Sequence, residues 1–288
     1  MDLCKTQNYT KTAANLHITQ PAVTQHIKYL ENYFGAKLFS YSGRNLSLTK
    51  QGQLLEEFTS KMYADYNKMK GLIKSSLCKP KKIKFGVPGT IGEYLMPNVI
   101  EKYLEYEQNE EFIMIVDFTE NLLGKVKSGD IDFAIIDGFF NKADYECTLL
   151  FKEPTIAICA KNHKFANAAV SFDDLLSERL IVREEGSEGR YNLELLLREK
   201  NLSVDNFHKL MQIGHWNAAK NLVQKGLGIA FLYRDIVKND IKNNLLCEIN
   251  IKDFNVTREI NFVWLKGSLF TEEGQHFLDY CKRFMDIS

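Results

Sequence analysis

Gln20, Thr24, Gln25 and Lys28 follow one another at spacings that place all four on one face of a helix. Their amide, hydroxyl and ammonium groups can donate to or accept from base edges and phosphates, and they carry little apolar area. That is the chemistry of recognition. No nucleophile elbow, phosphate-binding loop, zinc motif or paired catalytic constellation appears elsewhere in the chain. The six cysteines, Cys4, Cys78, Cys147, Cys159, Cys247 and Cys281, form no C-x-x-C pair and have no histidine at ligand spacing. They read as reduced, packed thiols, with a redox pair of Cys147 and Cys159 as the less favoured reading. No cofactor or metal is called for.

The four recognition side chains need a helix that offers them to solvent. Within TAANLHITQPAVTQHIKYLENYF, Thr12 to Phe34, two short helical patterns are separated by a break at His17 and Ile18. In the first, Ala13, Ala14 and Leu16 supply a small apolar surface. In the second, Thr19 is the N-cap and Pro21 sits in the first turn, where a missing N–H costs nothing. Val23, Ile27 and Leu30 fall on the inward face. Gly35 ends the helix, and Leu38-Phe39 and Leu46-Ser47-Leu48 flank Ser42-Gly43 as a hairpin. Thr49 then caps a long helix running to about Ser75. Leu55, Phe58, Met62, Tyr66, Met69 and Ile73 recur along it every three or four residues, a seam that predicts a dimer contact or, alternatively, packing onto the same chain. KPKK, Lys79 to Lys82, reads as an exposed hinge.

These residues resemble the LysR-type transcriptional regulators. The family pattern AAxxLxxSQPAxSxxIxxLE stands here as AANLHITQPAVTQHIKYLE, and LGxxLFxRxxRxxxLTxxG as FGAKLFSYSGRNLSLTKQG. The resemblance implies a winged helix-turn-helix in which Thr19, Gln20, Pro21, Thr24, Gln25, Lys28 and Arg44 meet double-stranded DNA. Arg44 would contact phosphate, while Tyr41 stands where the family commonly has a second arginine. The first family helix is short here, so the real start of translation lies either at Met1 or upstream of it, and a regulator with weakened grip on DNA is an alternative. RNA polymerase is a further partner that the family implies.

Domain boundaries follow from composition. The chain of 288 residues is 45% hydrophobic and formally neutral. Residues 1–78 carry ten lysines and arginines against five aspartates and glutamates, whereas residues from 83 onward carry 24 against 32. A basic module tied to an acidic one fits a nucleic-acid reader joined to a sensor. We expect a winged helix-turn-helix over residues 1–53, a linker and dimerisation helix with hinge over 54–82, and an effector-binding domain over 83–288. No apolar run is long enough to span a bilayer and the N-terminus is too polar for a signal peptide, so a cytoplasmic protein with no membrane partner is expected.

After Ile83 short apolar runs (IKFGV, FIMIVDF, DFAIID, TIAICA, LIVRE, GIAFLY, INFVWLKG) alternate with helical segments, which predicts α/β architecture with a mostly parallel sheet. The resemblance implies two lobes like those of periplasmic solute-binding proteins. Lobe I covers about 83–159 and 258–288, and lobe II about 160–257. A solute-binding protein or an enzyme on the same two lobes is the competing class, although a carrier would require export.

Ligands of such sheets bind beyond the strand ends, where helix N-termini present free N–H groups. The junctions at Thr90, Asn121, Ser187 with Arg190, and His215 with Asn217 are the candidates, and each also reads as a simple helix cap. The family places Thr90 and Ser187 at the effector and Asp137 on the hinge side. Thr90, Ser187 and Arg190 suit a small carboxylate, while Glu120, Glu188 and His215 favour an amine or a zwitterion, so the effector's charge stays open. Trp216 is placed either to stack on a ligand ring or to pack. A homodimer or homotetramer controlled by a small molecule is the expected whole.

Overall fold

A computed structural model of the chain describes every residue except 43–44, 76–80, 108–109, 167, 268–271 and 286–288. Contacts divide it into two units, one holding residues 1–76 and the other most of residues 77–288.

The first unit begins with α1 (Asp2–Thr6), α2 (Tyr9–Asn15) and α3 (Gln20–Phe34). Asn8 caps α2 by accepting from the Lys11 N–H, and Thr19 caps α3 by accepting from the Ala22 N–H. The turn between α2 and α3 passes through His17 at φ 54°, a left-handed conformation that a non-glycine residue adopts at some cost. Of the apolar surface expected from α2 only Ala13 is buried. Ala14 and Leu16 are exposed, because the helix stops at Asn15 and the chain turns away. Leu3 and Val23 complete the small interior with Leu38 and Leu46 of the hairpin β1 (Phe39–Ser42) and β2 (Asn45–Leu48). α4 (Lys50–Ser75) follows directly. Thr49 starts it, its hydroxyl accepting from the Gly52 N–H at 3.0 Å and donating to the Lys37 carbonyl at 2.6 Å.

The second unit runs β3 (Lys81–Val87), α5 (Gly89–Tyr94), α6 (Met96–Tyr106), β4 (Glu110–Val116), α7 (Thr119–Ser128), β5 (Phe133–Ile136) and β6 (Tyr145–Ala160). It continues β7 (Ala169–Val170), α8 (Phe172–Leu175), β8 (Arg179–Val182), α9 (Glu188–Glu199), β9 (Lys209–Gln212), α10 (Trp216–Gln224) and β10 (Ala230–Tyr233). It closes with α11 (Arg234–Lys242), β11 (Leu246–Glu248), β12 (Asn250–Ile251), β13 (Val256–Leu265) and α12 (Glu272–Met285). Lys81 and Lys82, expected in a hinge, are the first residues of β3, paired with Glu110 and Glu111 of β4; Lys79 and Pro80 lie outside the described residues.

The main sheet has seven strands in the order β10-β6-β13-β5-β3-β4, with β11 also on β6. Only β3, β4 and β5 are mutually parallel. β13 returns antiparallel to β5 and β6, and β10 and β11 are antiparallel to β6, so the sheet is mixed where sequence periodicity predicts a mostly parallel one. The reason is β6, a 16-residue strand of which only TIAICA reads as a strand, because its first half alternates buried and exposed positions irregularly. That first half pairs with β13, and its second half with β10 and β11.

β6 and β13 therefore bind two cores together. One gathers Ile83, Phe85, Phe133, Phe262 and Phe277, with the Phe133 and Phe262 rings stacked at 4.2 Å. The other packs both faces of lobe II, around Phe172, Leu180 and Phe231 on one side and Ile181, Trp216 and Val223 on the other. β8 approaches the segment leading into β10 so closely at Gly228 that a side chain there would strike the Arg179 carbonyl. Cys159 stands opposite Cys247 in the β6–β11 pairing, not near Cys147, and burial pushes its thiol up to about 12. The five described cysteines form no disulfide with one another. Among the described residues no helix is long and apolar enough to cross a membrane.

Glu153 sits on β6 at 7% exposure and accepts the Asp235 N–H at 3.0 Å, at the start of α11. Burial is the largest influence and, with the Asp235 charge, pushes its carboxyl up to about 7 even though that N–H favours the ionised form. A carboxyl raised on folding contributes stability that is present below its unfolded pKa and is lost as pH rises through about 7. Glu153→Gln keeps the acceptor and removes the charge. It should raise stability at about pH 8 by on the order of 1–2 kcal/mol, and by much less at about pH 5. Urea denaturation at both pH values checks this, and an equal effect at the two would show that the carboxyl is not held neutral.

Candidate functional site

The face of α3 that carries the recognition side chains is open to solvent. Gln20, Pro21, Gln25 and Lys28 are exposed and Thr24 is half-buried, while Val23, Ile27 and Leu30 turn inward. The Gln20 amide donates to the Thr24 hydroxyl at 2.9 Å, and that hydroxyl donates to the Gln20 carbonyl at 3.2 Å, so the first turn presents a fixed polar edge. Gln25 and Lys28, both exposed, extend the same face one turn further. Arg44 lies outside the described residues.

Glu31 ties this helix to the hairpin. One carboxylate oxygen accepts from Lys37 Nζ at 2.7 Å and the other from the Leu38 N–H at 3.0 Å. Burial works to raise its pKa, yet these donors outweigh it and hold the carboxyl below the usual range. Further along, the α4 seam stays uncovered in the single chain. Phe58, Met62, Tyr66, Met69 and Ile73 are all exposed, and Leu55 is half-buried.

The second unit carries a cleft between its lobes. A cavity of about 720 Å³ opens there, walled on one side by Phe118, Thr119, Glu120, Asn121 and Leu123 and by Phe139, and on the other by residues of α9 and the turn before it, from Glu185 to Glu194. A second cavity of about 670 Å³ adjoins it through Phe139 and Tyr191 and is lined by Asp137, Asn192, Arg258 and Asn261. Asn121 and Arg190 are thus brought to the first cavity and Asp137 to the second.

Thr90 and Ser187 do not meet across open space. The Trp216 indole N–H donates to the Thr90 hydroxyl at 3.2 Å, and the spaces left beside Thr90 hold about 20 and 30 Å³, room for a water or two. Trp216 packs rather than offering a free face, with the Arg183 guanidinium 5.4 Å from its ring centre. Asn217 reinforces the same closure by accepting from the Tyr94 hydroxyl at 2.9 Å and donating to Glu93. Ser187 is buried, its hydroxyl donating to the Glu184 carbonyl at 2.7 Å and accepting from the Arg190 N–H at 3.3 Å as the cap of α9. Its position as a cap was legible; its burial was not. His215 is exposed and precedes α10 without capping it.

Polar groups at the cavity wall form a partly satisfied network. Asn121 donates its amide to Asp117 at 2.8 Å, which together with Lys125 at 2.6 Å holds the Asp117 carboxyl below its ordinary range. Arg190 spends its Nε on Glu194 at 2.6 Å. Asp137 accepts the Tyr233 hydroxyl at 2.8 Å, and Tyr233 in turn accepts from the Asn192 amide at 3.1 Å. Burial raises the Asp137 pKa against that hydrogen bond. Glu188 reaches from α9 to Gly138, where any side chain would overlap its carboxyl. Burial first, and the Asp137 charge second, push Glu188 up to about 7, with the nearby Thr119 hydroxyl and Phe139 N–H pulling the other way. Tyr191, Tyr233 and Arg258 are cleft residues that no spacing in the sequence singles out, whereas Thr119 and Glu188 belong to strand-to-helix junctions legible there, Glu188 as a charge near the mouth.

Comparison with known proteins agrees with this construction. Residues 1–53 match the family described as bacterial regulatory helix-turn-helix protein, lysR family, and residues 80–286 match the LysR substrate binding domain. A helix-turn-helix transcriptional regulator of Methanocaldococcus jannaschii is 28% identical over 261 residues, which is 90% of this chain and 88% of that one. The regulator CysL of Bacillus subtilis is 27% identical over 260 residues, 89% of this chain and 86% of its own length. Among solved structures, a full-length OxyR variant from Pseudomonas aeruginosa superposes with a TM-score of 0.63 at 21% identity, covering 98% of this chain and 91% of that one. The regulatory domain of CcmR from Synechocystis, solved in complex with 2-PG, gives 0.65 at 20% identity over 72% of this chain and 98% of that domain. Both parts of the chain are matched in their family order, and the chain belongs to the LysR family of transcriptional regulators.

Proposed function

We propose that the protein is a cytoplasmic homo-oligomeric regulator that reads double-stranded DNA through α3 and the β1–β2 hairpin, and whose interlobe cavity takes a small-molecule effector. The observation that carries this reading is the pairing, in one chain, of an exposed polar recognition face with an open interlobe cavity of about 720 Å³. The effector acts by binding one arrangement of the oligomer more tightly than another, and its influence is limited to that difference. The chemistry is binding rather than turnover, since the cavity wall brings together no nucleophile with an adjacent base among the described residues. RNA polymerase is a partner through which such a regulator would act.

Reading of bases by Gln25 and of phosphate by Arg44 separates in solution. Gln25→Ala should cost about 1–3 kcal/mol on the specific site and little on random DNA. Arg44→Ala should weaken both alike and lower the salt slope by about one unit. Gel-shift titrations at several salt concentrations check this, and equal loss on both DNAs for Gln25→Ala would remove it as a base reader.

The exposed α4 seam supports assembly through that helix. Met62→Asp places a charge in an apolar contact and should dissociate the oligomer and weaken DNA binding together. Sedimentation velocity reads the first effect. An unchanged oligomer would assign the seam another role.

A further inference from the structure

Charge and unpaired polar atoms at the cleft point to a class of ligand. This step rests on the cavity being the effector site. Thr119 and Arg190 line the cavity at 7% and 6% exposure; Arg190 Nη1 has no hydrogen-bond partner, and the Thr119 hydroxyl has none of ordinary geometry, lying only near the Glu188 carboxyl whose ionised form it favours. One Glu188 oxygen and the Asp137 oxygen not used by Tyr233 also lack a partner of ordinary geometry. Buried polar atoms are ordinarily satisfied, so such a set on residues that line two adjoining cavities marks groups a ligand can supply. The acceptors call for a cationic donor, and Arg190 Nη1 calls for an acceptor.

The fixed charges narrow the choice. Glu120, Glu185, Glu188 and Glu194 surround one arginine, which is already engaged with Glu194. A plain anion would gain one donor and face the remaining carboxylates. A simple amine would leave the arginine without an acceptor. The aromatic part of the wall is Phe118, Phe139 and Tyr191, exposed by 46%, 82% and 42%, which offers apolar cover for a ligand side chain.

We propose that the cleft binds a zwitterionic α-amino acid with an apolar or aromatic side chain, its ammonium on Glu188 and Thr119, its carboxylate on Arg190, and its side chain against Phe118, Phe139 and Tyr191. Glu188, pushed up to about 7 by burial, ionises fully beside an ammonium, so the pair forms with little standing buried charge beforehand.

The test uses the full chain. Thermal shift against the proteinogenic amino acids and a set of carboxylate metabolites, shikimate and citrate among them, is followed by calorimetry on the strongest amino acid and on its analogues lacking either the amine or the carboxylate. The amino acid is expected to bind about tenfold or more tightly than either analogue. Glu188→Gln should raise its Kd about tenfold while changing the Kd of the amine-free analogue little. Arg190→Met should do the reverse, sparing the carboxylate-free analogue. Tyr191→Ala, a surface change that leaves the helix cap and ion pairs intact, should weaken aromatic and branched amino acids and spare glycine. Binding of a carboxylate metabolite without binding of any amino acid overturns the zwitterion and leaves the cleft as effector site. Amino-acid binding that none of the three substitutions alters overturns the cleft itself, and no shift with either set overturns both.

Discussion

The pairing of β6 with β13 is the constraint on which the second unit depends. It runs from Tyr145–Leu265 at one end to Thr155–Val256 at the other, with its register shifting between Ile260 and Asn261. Each strand leaves one core and enters the other, so the two lobes share backbone hydrogen bonds instead of a flexible link. Relative motion of the lobes must be absorbed by twist in these strands. Asn261 lies at the irregularity itself, Arg258 two residues before Ile260, and both line the second cavity. Whatever occupies the space between the lobes is therefore in contact with the strands that would have to bend.

A second contact decides where that space lies. Trp216 on Thr90 and Asn217 on Tyr94 close one mouth of the cleft, while Glu188 reaches across the other without filling it. The remaining room is acidic and aromatic, with Arg190 in one cavity and Arg258 in the other. Burial of Asp137 and Glu188 together disfavours two charges side by side, while the Tyr233 hydroxyl favours the ionised form of Asp137. Beside the standing Arg190–Glu194 pair, these two carboxyls hold charge in reserve.

How much of this was legible in the sequence varies with the range of the interactions. Thr19, Thr49 and Gly35 announce helix ends through bonds to residues three or four positions away, Pro21 through the N–H it lacks, and the structure places each of them at a terminus. The recognition face follows from the same short period. The mixed sheet was not legible, because strand direction depends on the long antiparallel return of β13 and on a 16-residue β6 whose first half lacks alternation. Thr90 and Ser187 were both identifiable as helix starts, but their neighbours are set by Trp216, 126 positions from Thr90, and by the Glu184 carbonyl. No local pattern reports that an indole rather than a ligand sits against Thr90, or that Glu188 lies over Gly138.

Glu31 has a consequence for how DNA is read. By gripping the chain at Lys37 and Leu38 it ties the recognition helix to the start of the hairpin, so the two form one die. On the reading proposed above, such a die would not retune its preference for one letter over another when conditions change. With two chains paired as proposed, the adjustable quantity would be the distance and tilt between two dies on the same duplex, and hence the curvature imposed on the DNA between them. Signal would then be written in the bend of the promoter, while the vocabulary of bases stays fixed.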